Sequence, residues 1–191
     1  YKWIIIDELG FPSQKKLAPS TIYTIKDLGD FGVFFRDRSL SFSILSSKGA
    51  GAAPTILRYL GERLTKNEYA VTAMDGETFG HHRPGLEQLL FDLLNSEEIK
   101  PAMVSDLFQT FSDREAIEPR ESTWATTKED IKNNTPFSRW KNNENIIQKW
   151  QWEFTNLAIK ILNQEPENKE LRKLLDEALH SDQYWWASAR P

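Results

Sequence analysis

Apolar positions cluster along the chain in three unbroken runs that each end on an acid. Lys2-Trp3-Ile4-Ile5-Ile6-Asp7, Gly32-Val33-Phe34-Phe35-Arg36-Asp37 and Tyr69-Ala70-Val71-Thr72-Ala73-Met74-Asp75 share this design. Continuous rather than alternating hydrophobicity suits strands covered on both faces, as in parallel sheets. Between and after them the period changes. Ala53, Ile56, Leu57, Leu60 and Leu64 follow the i, i+3, i+4 spacing of a helix with Pro54 near its start, and Leu86, Leu89, Leu90, Leu93 and Leu94 repeat it after Pro84-Gly85. Strand, crossover and helix therefore recur as βα units, which predicts an α/β fold built on a parallel sheet or barrel.

The character changes near residue 100, which divides the chain into residues 1–100, a partial (β/α) barrel, and 101–191, a helical subdomain. Glu144 to Leu162 reads as one amphipathic helix with Ile146, Ile147, Trp150, Phe154, Leu157, Ala158, Ile161 and Leu162 on its apolar side. A second runs from Glu167 to about His180 on Leu171, Leu174, Leu175 and Leu179, with Glu165-Pro166 as the break. The stretch from Ile117 to Asn143 is polar, holds Pro119 and Pro136, and is expected to be loop-rich. The chain opens on Tyr1 and enters an apolar run at once. Chain ends are seldom buried strands, so a fragment of a longer protein is expected.

Composition narrows the chemistry. With no cysteine there is no disulfide framework and no thiolate metal site. The 24 basic and 28 acidic residues give a net charge of −4, and the bases are scattered, which disfavours a nucleic-acid partner. No apolar run approaches the roughly 20 residues that span a bilayer, and no charged-then-apolar signal segment is visible; a cytoplasmic protein without membrane partners is expected. The seven tryptophans are the outlier. Indole faces stack on the C–H faces of sugar rings, although large aromatics also fill cores.

Acids at the carboxyl ends of parallel strands are where such folds do chemistry. Asp7, Asp37 and Asp75 all qualify, and each could instead cap the turn that follows. The richest segment is Met74-Asp75-Gly76-Glu77-Thr78-Phe79-Gly80-His81-His82-Arg83-Pro84-Gly85. Its glycines permit tight turns and close approach of a ligand, and a carboxylic acid in such a pocket can donate a proton to a leaving oxygen. Asp75, Glu77, His81 and His82 also have the side chains of a zinc site. Adjacent histidines on a turn usually diverge, and there is no helical His-x-x-x-His pair, so no metal is expected. Arg36, Asp37 and Arg38 could form a structural ion-pair cluster.

Asp75-Gly76-Glu77 followed by Phe79-Gly80-His81 resembles the fourth conserved region of glycoside hydrolase family 57, whose amylases, amylopullulanases, glucanotransferases and branching enzymes act on α-glucans. Phe34-Phe35-Arg36-Asp37-Arg38-Ser39-Leu40-Ser41 is similar to that family's Phe-Arg-Asp-Arg-x-Leu-Ser segment. His180-Ser181-Asp182-Gln183-Tyr184-Trp185-Trp186-Ala187-Ser188 resembles its fifth region, where aromatics line the cleft. Glu121-Ser122-Thr123-Trp124-Ala125 and Trp150-Gln151-Trp152-Glu153 look like pieces of its helical part.

The resemblance implies the last strands of a seven-stranded barrel followed by an α-helical subdomain. It implies a retaining enzyme that hydrolyses or transfers α-glucosidic bonds of an α-glucan or maltooligosaccharide, without a cofactor. Asp75 maps onto the general acid/base. Arg36, Asp37, Glu77, His81, Trp185 and Trp186 are then the expected substrate contacts; Trp185 and Trp186, if helical, cannot both face one cleft. Trp3-Ile4-Ile5-Ile6-Asp7-Glu8 resembles the stretch just after the family's nucleophile, and Glu8 does not match the nucleophile itself. That Glu and the front of the barrel would lie outside this chain, leaving the isolated chain inactive. The alternative is a non-catalytic carbohydrate-binding or interaction module.

Overall fold

The computed structural model describes residues 1–12, 16–49 and 51–188, in two compact units, Tyr1–Glu121 and Ser122–Pro191. In the first unit, strands β1 (Trp3–Asp7), β2 (Ile22–Ile25), β3 (Gly32–Arg36) and β4 (Arg114–Ile117) form one mixed sheet in the order β1-β3-β2-β4. β1 runs parallel to β3 along its whole length, from Trp3 opposite Gly32 to Asp7 opposite Arg36. The α/β class and the first two expected strands are present.

β3 is buried on both faces, as its unbroken hydrophobicity predicts. Val33 and Phe35 pack with Phe11, Tyr23 and Ile117 on one side. Phe34 packs with Ile22, Val71, Leu107 and Phe111 on the other, beneath α4 (Val104–Thr110). Gly32 admits the Phe108 ring to the strand: a Cβ there would lie 2.3 Å from Phe108 Cζ. A third cluster joins α1 (Arg38–Leu45), α2 (Ala53–Leu60) and α3 (Leu86–Leu94) through Leu40, Ile44, Ile56, Leu86 and Leu89. The α2 pattern stops at Leu60, where Gly61 at φ 51° turns the chain into a short 3-10 segment.

Besides β2, an unexpected strand whose antiparallel pairing with β3 makes the sheet mixed rather than parallel, two elements depart from expectation. Tyr69–Asp75 is not a full strand; Val71 alone forms a parallel bridge, to Arg36. The reason is competition for one edge. β2 pairs antiparallel with Gly32 and Val33, taking the first half of that side of β3 and leaving only its carboxyl end for Val71. Tyr69 is drawn toward the approach to β2 instead, its N–H on the Pro19 carbonyl and its hydroxyl on that of Thr21. β4 is the second departure. It lies beyond residue 100, in the stretch expected to be helical or looped, yet runs parallel to β2 from Arg114 to Ile117.

The second unit contains α5 (Lys128–Lys132), α6 (Ile146–Leu162), α7 (Lys169–Ala178) and α8 (Asp182–Trp186). Thr127 and Asp130 close a reciprocal capping box at α5, and Asn145 caps α6. The inward face of α6 is not the apolar one. Gln148, Thr155 and Leu162 are buried, whereas Ile146, Ile147, Trp150, Phe154, Leu157 and Ile161 are exposed. Hydrogen bonding decides the orientation. The Gln148 amide accepts from Asn142 N at 2.8 Å and donates to the carbonyls of Arg139 and Tyr184 at 2.7 and 2.8 Å. Thr155 Oγ1 lies 2.5 Å from the Tyr184 hydroxyl, and the Trp152 ring stacks on Tyr184 at 4.4 Å. Such a satisfied polar face can be buried without penalty, and amphipathicity alone cannot reveal it.

Gln148 is fully buried, so Gln148→Leu should orphan one backbone N–H and two carbonyls. At about 1–3 kcal/mol for each unsatisfied buried group, partly relieved by relaxation, the loss should be about 2–5 kcal/mol. Urea unfolding followed by tryptophan fluorescence measures it; an unchanged midpoint would show that the amide does not hold α6.

Candidate functional site

Parallel pairing brings the carboxyl ends of β1, β3 and the Val71 segment to the same rim of the sheet. Asp7 stands beside Arg36 in register, and Asp37 N–H donates to the Val71 carbonyl at 2.8 Å. The acids that end these segments have different fates.

Asp7 is buried. Its Oδ1 accepts from Leu9 N at 3.0 Å and from Arg38 Nη1 at 2.9 Å, while Oδ2 lies 3.5 Å from Arg36 Nη1, an ion-pair distance without hydrogen-bond geometry. Asp37 caps α1, accepting from Leu40 N at 2.8 Å through Oδ1 and from Arg63 Nη1 at 2.8 Å through Oδ2. Arg63 in turn reaches Glu68 at 3.5 Å. The capping role holds for both acids, and the Arg36–Asp37–Arg38 stretch does enter ion pairs, with Asp7 and Arg63 as partners. Arg36 Nε is buried and lacks a hydrogen-bond partner among the described residues, a spare donor at the rim.

Asp75 differs. It precedes the 3-10 turn Gly76–Thr78 without capping it, and among the described residues its exposed carboxylate makes no hydrogen bond or ion pair. Its backbone is nevertheless held. Met74 and Phe79 pack against the helical cluster, Thr78 is buried, and Ala73 N–H approaches Ser41 Oγ at 3.4 Å.

Gly80, at φ 103°, then reverses the chain. His82 N–H donates to the Glu77 carbonyl at 2.9 Å, and His82 Nε2 lies 2.7 Å from Glu77 Oε2. His81 and His82, expected to diverge, converge instead, with ring centroids 5.0 Å apart. The positive-φ glycine between Glu77 and the pair folds both imidazoles back over the turn.

In the second unit Trp185 is half-buried, 6.3 Å from Trp124 between ring centroids, and its Nε1 is buried without a hydrogen-bond partner among the described residues. Trp186 is 66% exposed. The helical α8 thus separates the two indoles.

Residues 1–120 match the model of glycosyl hydrolase family 57. The chain belongs to glycosyl hydrolase family 57. No curated protein and no solved structure matches it. The matched region contains the Asp75 turn and the Arg36–Asp37 segment, while Trp185 and Trp186 lie beyond it. Membership makes a glycoside-hydrolase function and a carbohydrate substrate the setting for these residues. Among the described residues no helix is long and apolar enough to cross a membrane.

Glu8 is a rim residue that sequence reasoning set aside. Burial holds its carboxyl above the ordinary value, with Asp37 and Asp7 adding repulsion against the opposing pull of Arg38, whose N–H lies 3.4 Å from Glu8 Oε2. Its only sequence signal is adjacency to Asp7.

A raised carboxyl costs folding stability as pH rises through the folded value, because the unfolded chain ionises more readily. Glu8→Gln should therefore be more stable than the wild type at neutral pH, with the gain vanishing below the ordinary carboxylate range. Thermal melts across pH test the sign; a gain that persists at low pH would place its origin elsewhere. The contrast between Asp37 and Asp75 is equally measurable. Asp37→Ala, losing a helix cap and a partly exposed ion pair, should cost about 1–3 kcal/mol. Asp75→Asn should stay within about 0.5 kcal/mol of wild type, both by urea unfolding.

Proposed function

We propose that this family 57 chain carries the general acid/base of a retaining enzyme acting on α-glucosidic bonds of α-glucans. One observation supports the reading above the others: of the three acids ending the rim segments, Asp75 alone lies in the Asp-Gly-Glu motif and has a carboxylate without a partner among the described residues. Asp7 and Asp37 are engaged in capping and ion pairing.

In this reading a Glu outside residues 1–191 attacks the anomeric carbon. Asp75 protonates the leaving oxygen, then takes the proton of the incoming water or sugar hydroxyl, the two carboxyl groups standing about 5–5.5 Å apart, as retention requires. A bound glucan covers the exposed turn and excludes water from the reacting atoms beside Asp75. Arg36, with its spare Nε, and Asp37, Glu77 and His81 position sugar hydroxyls. In the second unit, of Trp185 and Trp186, Trp186 has the exposed face for stacking on a sugar ring. β1, β3 and the Val71 segment belong to the late part of the barrel, and the helical subdomain comes later in the chain.

General acid/base catalysis by a positioned carboxyl contributes about 10²–10⁴-fold. In an enzyme carrying both acids, Asp75→Asn should lose at least about 10²-fold on natural glucans, and much less in the first step with activated aryl glycosides, whose leaving groups need no proton. Steady-state rates on the two substrates decide the matter. Equal losses on both, or near-normal activity on glucan, would remove Asp75 from the role and favour a non-catalytic binding module.

A further inference from the structure

We propose that Glu77, His81 and His82 form a binding site for one divalent transition-metal ion of the zinc class. One potential ligand atom from each residue lies within 4.8 Å of the others. Zinc bonds of about 2.0–2.2 Å to nitrogen and oxygen place tetrahedral ligands roughly 3.3 Å apart, so modest rotation of three exposed side chains closes the set. The backbone already does the larger part of the work. The His82 N–H to Glu77 carbonyl bond and the positive φ of Gly80 fold the turn so that both imidazoles face the carboxylate. The 2.7 Å contact between His82 Nε2 and Glu77 Oε2 marks where the ion inserts.

The donor set selects the metal. Two imidazoles and one carboxylate suit zinc and its neighbours in the first transition row, whereas magnesium and calcium prefer all-oxygen sites. All three side chains are exposed, so binding needs no burial of charge and leaves the remaining positions to water. The site rests on this turn's geometry alone and stands whether or not Asp75 is the proton donor.

The test is calorimetric titration of Zn²⁺ into the untagged full chain, with Co²⁺ absorption as a second readout. One ion per chain is expected, undisturbed by excess Mg²⁺. Losing even an outer hydrogen-bond partner of a ligand costs about 10–100-fold in affinity, so His81→Ala, His82→Ala and Glu77→Gln should each weaken binding by at least about tenfold. His180→Ala, the remaining histidine, should leave it unchanged, and circular dichroism verifies that each variant is folded. Absence of saturable binding, wild-type affinity in His82→Ala, or an equal loss in His180→Ala would each overturn the proposal. Every readout is taken without glucan, so failure here is separable from failure of the glycosidase reading.

Discussion

The first unit depends on how the two edges of β3 are shared. One edge is taken entirely by β1 in parallel register. The other is divided: β2 takes Gly32 and Val33, and Val71 takes Arg36. Because β3 is also buried on both faces, by Phe35 on one side and Phe34 on the other, a slip by one residue would exchange its side chains between two differently packed cores. The position of the rim follows. Asp7, Arg36 and Asp37 are fixed by the ladder, and the hydrogen bond from Asp37 N–H to Val71 sets where the chain departs toward Asp75.

At that rim, acids compete for partners, and the outcome assigns their work. Arg38 and Arg36 converge on Asp7, and Arg63 spans Asp37 and Glu68. Carboxylates held this way are immobilised, which maintains the rim. Glu8 is raised by burial first, and repulsion from Asp37 and Asp7 adds to it against the opposing pull of Arg38. Asp75 lies beyond this network, and its carboxylate has no partner among the described residues.

Much of this was legible in the sequence where one physical effect dominated. Ile4-Ile5-Ile6 and Val33-Phe34-Phe35 announced covered strands because burial on both faces erases alternation. Leu86, Leu89 and Leu93 announced α3 because only one face is buried. Hydropathy failed where hydrogen bonds or edges decide. β2 and β4 are four-residue strands whose residues carry no distinct period. Tyr69–Asp75 has strand composition but found its edge already occupied. α6 turned a Gln and a Thr inward because their partners, Asn142, Arg139 and Tyr184, are assembled only in three dimensions. The resemblance located the Asp75 turn, but the convergence of its histidines follows from the φ of one glycine and was invisible in the motif.

The Asp75 turn combines two properties that usually oppose each other. A side chain fixed in space is normally fixed by its own contacts, and those contacts settle its protonation state. Here the anchoring is displaced onto the neighbours: Met74, Thr78 and Phe79 are packed or buried, Ala73 approaches Ser41, and Gly80 reverses the chain. Asp75 inherits a defined backbone position from both sides while its carboxylate stays in water. The proposed role asks Asp75 to give a proton to the leaving oxygen and take one back from the incoming water or hydroxyl, and a carboxylate that the fold leaves without a partner among the described residues is free for both. Asp7 and Asp37, by contrast, are committed to capping and ion pairing at the rim.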